Sequence, residues 1–552
     1  MRGVSTREGR CGRSVGMRPR EMPSNEGAEG DDSHSRKTLS QSKDGFGESG
    51  RSAQELADEA RVPCETAVQQ KVAEFVADVQ ALSEAASRVP QEALYAAAKS
   101  LQAKWIYLRR VMHTTCEDFE VLRDTITDTF LPALVGTPQP LSDDMKRLLL
   151  RPVRHGGIGL VDPSFRAPLP APLDGQTDLC QLTRKASRAG TTILAHAIAT
   201  SAPHYPSAAH RSQMHRARRV FRESLDETFA HDSTAIIGRL PPGQARAAER
   251  ARCNDTGQFM TVRPSQLDDT DLSALEFRDA MCHRYGLPHQ DMSDKCDGER
   301  PNGARCGADF TVQHALGCSL GGLVYAKHDR LKHEVGGLCQ LGGLKVAYEH
   351  TVWKETAHAA AARDPRAVPL GVTPCDGAGH PHPPPPLPSP TPPPPPDPPD
   401  PPDPPDPHTA PDEPDGVPND PTVRTDLFVS RFWPSGRELS IDFCVTDADT
   451  RCNQGKTTGT ITREREKLKK DHHIDVCRLN RMDFTAFIVT CDGVYGREAD
   501  CFIRRLAELI NKRGGWDRYG VGRVEQWIRA PLSVCLACSV SACLRRPRRK
   551  GR

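Results

Sequence analysis

Aromatic residues are scarce in this sequence, and a long apolar run is missing from it. Phe, Trp and Tyr make up 5% of the 552 residues, and hydrophobic residues together make up 37%. Because no run of about 18 apolar residues occurs, the sequence predicts no transmembrane helix. The first 20 residues are basic but lack an apolar core, so they do not resemble a secretory signal. We therefore predict no membrane partner, and a reducing compartment for the 19 cysteines.

An excess of one charge is also missing from the chain as a whole, whose formal net charge is +2. The charges are nevertheless segregated. Residues 381–420 hold seven Asp and one Glu with no Lys or Arg, so the rest of the chain carries +10. A basic body with an acidic spacer favours a polyanionic partner over a small-molecule substrate.

Apolar spacing predicts helices in the first half of the chain. Residues 1–52 have almost no aliphatic side chains and are predicted to be disordered. Apolar residues then recur at intervals of three and four up to Pro90, and a second helix follows this proline. A third helix is predicted from Glu117 to Phe130, ended by Leu131-Pro132. The apolar stripe of the first helix consists of Val68, Val72, Phe75, Val79 and Leu82.

The pattern changes to α/β near the C-terminus. Alternating apolar residues predict strands at 423–429 and 438–446, and a buried strand is predicted at 484–490. A helix with one apolar face is predicted at 497–513. This order of elements is typical of a small mixed-sheet domain.

Two acidic residues interrupt the predicted strands. Asp426 lies among apolar residues of the first strand, and Asp442 points away from the main apolar face of the second. A hairpin-like turn at 434–436 would let both converge on one divalent cation. Oxygen ligands of this kind suit Mg²⁺, which activates water for phosphodiester cleavage. The alternative is that each Asp only caps or forms a turn.

A predicted helix at 462–471 carries Glu466, Lys467, Lys469 and Lys470. A lysine in this position could stabilise developing negative charge or orient the attacking water. The alternative is an ordinary solvated helix. The order Asp, Asp, Lys in an α/β setting favours the catalytic interpretation.

Four residues with the spacing C-x9-C-x7-H-x3-C could bind a structural Zn²⁺ ion. The first gap is wide for a zinc knuckle and contains turn formers, so we expect a bulged loop there. The alternative is a set of free buried thiols, with Cys282 and Cys339 as substitute ligands. Cys535, Cys538 and Cys543 lack a fourth ligand and are predicted to belong to the core. The proposed ligands are Cys296, Cys306, His314 and Cys318.

Three further segments have two interpretations each. The glycines of 156–159 indicate a tight structural turn rather than a phosphate cradle. The basic stretch 215–222 is either a solvated helix face or a nucleic-acid contact. The tail 545–552 either binds phosphates or serves as a nuclear address, or it is a solvated terminus. The arginines proposed to contact nucleic acid are Arg216, Arg218, Arg219 and Arg222.

Several ordered segments resemble the C-terminal portion of proteins encoded by non-LTR retrotransposons that carry a restriction-like endonuclease. The likeness begins near residue 55. Segments similar to the thumb region after the reverse transcriptase palm are PQEALYAAAKSLQAKWIYLRRV, FLPALVG and LLLRPVRHGGIGLVDP. EFRDAMCHRYGL is similar to the connector, and HALGCSLGGLVYAKHDRL is similar to the zinc motif. RTDLFVSRFW and SIDFCVT are similar to the two catalytic strands, EREKLKK to the lysine helix and RVEQWIRAPLS to the closing helix.

The resemblance implies a multidomain fold: a helical thumb and connector, then a zinc knuckle and a small α/β domain like a restriction endonuclease. The implied domains follow one another in this order: a disordered segment (1–52), a thumb-like bundle (53–165), a helical connector (166–290), a zinc knuckle with the start of the nuclease domain (291–355), a disordered Pro/Asp-rich linker (356–421), the nuclease core (422–544) and a basic tail (545–552).

The resemblance also implies roles for single residues. It places structural Zn²⁺ on the Cys/His set and catalytic Mg²⁺ on Asp426 and Asp442. It assigns the catalytic lysine to Lys467 and a signature histidine, with a nucleic-acid role, to His328. The implied partners are DNA and element RNA, and the implied location is nuclear. Three positions depart from the family: Lys327, Thr425 and Asp329.

The family's polymerase turn, aromatic-x-Asp-Asp, is missing. The Asp pairs at 31–32, 143–144 and 268–269 all lie in polar contexts. We therefore expect no reverse transcriptase activity, and a chain that is a truncated copy or one segment of a longer reading frame. The expected function is nicking of chromosomal DNA to start target-primed insertion. The alternative is a catalytically inactive remnant that binds nucleic acid through its zinc knuckle.

Overall fold

A mainly helical N-terminal part and a four-stranded mixed sheet with its own helices make up the fold. The predicted disorder of 1–52 and 356–421 lies outside the described residues, as do the side chains of Arg216 and Arg218. The computed structural model describes residues 53–111, 115–165, 208–253, 256–300, 303–353, 422–513 and 520–548.

The N-terminal helices pack around the apolar stripe that the spacing predicts. Val68, Val72, Phe75 and Val79 are buried. Pro90 begins the second helix, where the missing amide hydrogen of proline leaves no helical hydrogen bond unmade. The helices are α1 (Ala53–Ala86), α2 (Pro90–Ala96), α3 (Gln102–Val111), α4 (Glu120–Thr125), α5 (Leu131–Val135) and α6 (Asp143–Leu149).

The predicted end of the third helix at Leu131-Pro132 is wrong. A π-helical turn, Ile126–Phe130, joins α4 to α5, and the helix continues to Val135. Pro132 lies in the first turn of α5, where its missing amide hydrogen is tolerated because the π-turn has already shifted the hydrogen-bond pattern. Gly136, with φ of 63°, then ends the helix.

The glycine-rich segment after α6 is a structural turn, as the sequence predicts. A Cβ atom on Gly157 would lie 1.9 Å from the carbonyl oxygen of Arg151, so only glycine fits there. The guanidinium of Arg151 lies over the rings of Phe165 and Phe229. Phe229 belongs to the long helix α7 (Ala208–Ile237), and two shorter helices follow: α8 (Pro242–Ala251) and α9 (Ala274–Tyr285).

Four strands form one sheet in the order β1-β2-β3-β4, with β3 and β4 parallel and the other neighbours antiparallel. The three predicted strands are confirmed, but β1 was missed. Residues 354–421, with the Pro-rich segment, connect the neighbouring strands β1 and β2, so this segment interrupts the sheet rather than preceding it. The strands are β1 (Val346–Trp353), β2 (Thr422–Val429), β3 (Leu439–Thr446) and β4 (Asp483–Thr490).

Helices cover both faces of the sheet. These helices are α10 (Val312–Gly317), α11 (Leu323–Leu341), α12 (Thr458–Leu479), α13 (Arg497–Arg513) and α14 (Val521–Arg545). The apolar residues of β3 lie in one buried cluster with apolar residues of α11, α13 and α14, whereas α12 contacts the opposite, polar side through Asp442. Among the described residues, α14 is long and apolar enough to cross a membrane, but 72% of its apolar window is buried inside the fold, as in a core helix.

Two candidate metal centres

A short antiparallel hairpin brings two cysteines of the Cys/His set together. The amide of Cys296 donates to the carbonyl of Ala308 at 2.9 Å, and the amide of Cys306 donates to the carbonyl of Gly298 at 2.7 Å. The sequence analysis expected a bulged loop in this gap. Paired arms form instead, because backbone groups that bond across the hairpin satisfy one another. The tip, residues 301–302, lies outside the described residues.

Helix α10 positions the other two members of the set. Its N-cap is Thr311, whose side chain accepts a hydrogen bond from the amide of His314 at 3.1 Å. This cap starts the helix just before the histidine, and Cys318 follows the last helical residue. The three-residue spacing between His314 and Cys318 therefore places both side chains toward the hairpin.

The four side chains have the dimensions of a tetrahedral metal site. Their ligand atoms all lie within 4.8 Å of one another. The sulfurs of Cys296 and Cys318 are 3.9 Å apart, and Cys306 Sγ lies 3.6 Å from His314 Nε2. Tetrahedral zinc, with bonds of about 2.3 Å to sulfur and about 2.0 Å to nitrogen, separates two sulfurs by about 3.8 Å and sulfur from nitrogen by about 3.5 Å. This set, named here the Cys₃His cluster, could hold a metal ion.

The other cysteines that the structure describes do not join this cluster. Burial raises the pKa of Cys282 to about 12, and its sulfur lies 3.9 Å from the carbonyl oxygen of Val135. Cys339 is fully buried in the apolar core beside the sheet. Neither thiol is therefore a substitute ligand in this structure. Cys535, Cys538 and Cys543 pack in the apolar clusters around α14, as predicted.

The second centre lies where β2 and β3 meet. Leu427 pairs with Ile441, and one further step in this register sets Asp426 opposite Asp442. The two carboxyl groups lie close enough for each to affect the pKa of the other. The amide of Phe443 donates to the Asp426 carboxylate at 2.7 Å, at the point where the described ladder between the strands ends. The structure thus brings together the two strand carboxylates that the sequence singled out.

Helix α12 presents a lysine and a histidine to Asp442. The Oδ2 atom of Asp442 lies 2.9 Å from Lys469 Nζ and 3.0 Å from His473 Nε2. These residues are four positions apart and therefore lie on one helix face. His473 is 2% exposed and stacks on Phe484 with ring centroids 5.3 Å apart. His473 was not predicted as a site residue, because the largely polar sequence of α12 does not mark its buried face.

Lys467, to which the resemblance assigns the catalytic role, does not lie beside the carboxylates. Lys467 is exposed, whereas Lys469 reaches Asp442. Two residues of α-helix correspond to a rotation of about 200°, so the two side chains leave α12 in nearly opposite directions. Of the two lysines, Lys469 is therefore the one on the face of α12 that meets the sheet.

Helix α11 contacts Asp426, the other carboxylate of the pair, through His328. The Nε2 atom of His328 lies 2.9 Å from Asp426 Oδ2, and its Nδ1 atom lies 3.3 Å from Asp329 Oδ1. Asp329 also lies 2.9 Å from the ammonium of Lys332. His328 was expected to contact nucleic acid, and the structure places it against a site carboxylate. Asp329, one of the positions that depart from the resembled retrotransposon proteins, thus contacts this histidine.

Lys327, another departure, anchors the first turns of α11. Its ammonium is 4% exposed and donates to the carbonyl of Leu316 at 3.2 Å and to the sulfur of Cys491 at 3.5 Å. Leu316 lies inside the Cys₃His segment, and Cys491 follows β4. The helix that carries His328 is therefore fixed to both centres.

The environments of the two carboxyl groups push their pKa values apart. Burial and the neighbouring Asp442 raise the pKa of Asp426, against the opposing effect of His328. Burial also opposes ionisation of Asp442, but His473 and Lys469 outweigh it and lower the pKa of that carboxyl. Of the two carboxyl groups, Asp426 therefore keeps its proton to a higher pH than Asp442 does.

The basic stretch on α7 is only partly described. Arg219 is exposed and pairs with Glu223, one turn along the helix, at 2.8 Å. Arg222 is exposed. These contacts agree with a solvated helix face, and nucleic-acid binding by this stretch stays a prediction.

No family model matches this chain, and no curated protein is significantly similar to it. What the chain can do is therefore inferred from the chemistry of the two centres. One is a set of thiols with an imidazole, and the other is a carboxylate pair contacted by lysine and histidine side chains. Their donor atoms suit different metals.

Proposed function

We propose that this chain is a metal-dependent DNA endonuclease in which Asp426 and Asp442 hold a divalent cation. The observation that carries the proposal is the opposition of two strand carboxylates, one contacted by His328 of α11 and the other by Lys469 of α12. Donor sets made only of oxygen suit Mg²⁺. When bound, this ion would activate water and stabilise the negative charge of the phosphodiester being cut.

The residues around the pair have distinct parts in this proposal. Lys469 is 23% exposed at its side chain, so its ammonium can face a phosphate while it remains beside Asp442. His473 is buried and holds Asp442 in place, and His328 orients Asp426. The resemblance to retrotransposon proteins supports nicking of chromosomal DNA for target-primed insertion, with DNA and element RNA as partners in the nucleus.

The Cys₃His cluster is proposed to bind a structural Zn²⁺ ion. Three thiols and one imidazole favour this soft-to-borderline cation over Mg²⁺. The separation of ligand atoms, 3.9 and 3.6 Å for two of the pairs, fits tetrahedral zinc. A closed set of four protein ligands leaves no position for substrate, which is typical of structural sites.

The test of the endonuclease proposal is nicking of supercoiled plasmid by the full chain. We expect open circles to appear with Mg²⁺ and not in the same buffer without it. Simple omission of Mg²⁺ is preferable to a chelator, because a chelator would also remove zinc. A chain that produces open circles at equal rates in both buffers would contradict the carboxylate site.

The second candidate is an inactive remnant that only binds nucleic acid, with zinc as its structural ion. One observation favours it: Asp442 is 5% exposed, and one of its oxygens already faces both Lys469 and His473. A cation would have to compete with these groups. A plasmid that stays supercoiled in Mg²⁺ but shifts in a gel would support this candidate.

The two lysines of α12 provide a matched pair of variants. Lys469→Met should slow nicking about 100-fold, because a charge beside the reacting phosphate is lost. Lys467→Met removes the same charge from the exposed face and should change the rate less than about twofold. Single-turnover rates with saturating protein would measure both effects. If both variants lost the same amount of nicking rate, the rate would depend on the net charge of the chain and not on the position of Lys469.

A further inference from the structure

The described end of the chain folds back onto the Cys₃His cluster. Helix α14 ends at Arg545, and three residues later Arg548 is 1% exposed. The sequence suggested a phosphate-binding tail, a nuclear address or a solvated terminus for 545–552. The burial of Arg548 argues against contact of this residue with solvent or phosphate, because a guanidinium is costly to desolvate unless it is bonded.

Arg548 occupies a socket built for it. Its backbone amide lies 3.2 Å from both carboxylate oxygens of Asp297. Its guanidinium donates to the carbonyls of Ala315 and Cys543 at 2.7 and 2.6 Å. The guanidinium carbon lies 4.7 Å from the ring centroid of Phe310, as in a cation–π contact.

The walls of this socket follow the cluster's own ligands in the chain. Asp297 is the residue after Cys296, and Ala315 is the residue after His314. Gly321, three residues after Cys318, has φ of 80°, and a Cβ atom there would lie 2.6 Å from the backbone of Arg548. The socket therefore exists only while the hairpin and α10 keep their relative positions.

Arg545 forms a second anchor outside the cluster. Its guanidinium lies 2.6 Å from the buried Asp279 of α9 and donates to the carbonyls of Gln290 and Asp291. The two arginines thus attach the end of α14 to α9 on one side and to the Cys₃His cluster on the other. Both are occupied by protein groups, not available to phosphate.

We propose that the Cys₃His cluster is a zinc-dependent lock for residues 545–548. Bound zinc fixes the hairpin to α10 and so forms the Arg548 socket. Loss of zinc opens the socket and releases this segment, which contains three arginines. This inference rests on the zinc binding proposed above. It gives the ion a role in the exposure of a basic segment, independent of the endonuclease site.

The experiment is limited trypsin digestion of the full chain under a reducing agent that does not bind metal. Mass spectrometry would follow cleavage after Arg545 and Arg548, and the zinc content would be measured in the same samples. With one zinc per chain, cleavage at both bonds should be at least tenfold slower than after zinc removal by a chelator. Addition of zinc should restore the protection.

Two variants separate the lock from general stability. Arg548→Met should keep one zinc per chain but lose the protection of the bond after Arg545. Arg546→Met alters an exposed neighbour and should keep both zinc and protection. If zinc binds but cleavage rates do not depend on it, the lock is overturned and the zinc site stands. If no zinc binds, both are overturned.

Discussion

The full chain carrying Asp442→Asn is expected to nick supercoiled plasmid about three orders of magnitude more slowly than the wild type. Asparagine has nearly the same volume but cannot carry the charge that a divalent cation requires. A metal ion contributes several kcal/mol of transition-state stabilisation, and each 1.4 kcal/mol corresponds to a factor of about ten. Single-turnover rates at saturating Mg²⁺ would measure the loss.

The matched control is Asp475→Asn on α12. The Asp475 side chain is 83% exposed and lies 3.5 Å from Arg478, so its loss should leave the rate unchanged. Thermal unfolding of both variants would separate chemistry from folding, since neither substitution changes the packing volume. An Asp442→Asn variant that is as stable and as active as the wild type would end the carboxylate proposal.

Local patterns predicted most of the secondary structure. The strands of the sheet alternate with period two, and α1 and α13 each have one apolar stripe, so short windows were sufficient. Strand β1 was missed because its sequence, VAYEHTVW, contains three consecutive charged or polar residues, Glu349 to Thr351. As an edge strand paired only with β2, it is not required to be apolar on both faces.

The candidate site was also predicted in part from local sequence patterns. Asp426 and Asp442 could be found because a carboxylate inside an apolar strand is costly without a partner. The choice between Lys467 and Lys469 depends on the rotation of α12 about its axis. That rotation is set by tertiary contacts, among them His473 stacked on Phe484. A helix with polar residues on most of its faces gives no signal in the sequence for its buried side.

Contacts between distant segments were beyond sequence reasoning. Asp297 and Arg548 are 251 residues apart, and no periodicity relates them. The tail 545–552 therefore had only its composition to interpret, and composition indicated a solvated or phosphate-binding segment. Burial of Arg548 against the Cys₃His cluster is the kind of feature that emerges only from the packed chain.

Arg250→Met is expected to lower the free energy of unfolding by about 3–5 kcal/mol, because the buried carboxylates of Asp449 and Asp492 lose their shared cationic partner. The Arg250 side chain is 5% exposed and belongs to α8, outside the sheet. Its guanidinium lies 2.5 Å from Asp449, in the turn after β3, and 2.8 Å from Asp492, in the turn after β4. One cation therefore joins the helical part to the ends of two parallel strands.

The acidic groups around Arg250 cannot readily find other partners. The Asp492 side chain is 3% exposed, and its second oxygen lies 3.5 Å from His283. Asp447 is also buried nearby, and burial raises the pKa of its carboxyl. Arg246→Met is the matched control: Arg246 also contacts Asp449, at 3.3 Å, but its side chain is 47% exposed. Its loss should cost at most about 1 kcal/mol.

The difference between wild type and Arg250→Met should depend on pH with a defined sign. Burial opposes ionisation of Asp449, but Arg250 outweighs it and lowers the pKa of that carboxyl in the folded state. The pair therefore stabilises the fold above the unfolded pKa of about 3.9, and this stabilisation is lost as pH falls through the lower folded value. Urea unfolding at pH 7 and at about pH 3, below the unfolded pKa, would then give a larger difference at neutral pH. Equal differences for Arg250→Met and Arg246→Met at pH 7 would show that the buried ion pairs do not hold the two strand ends.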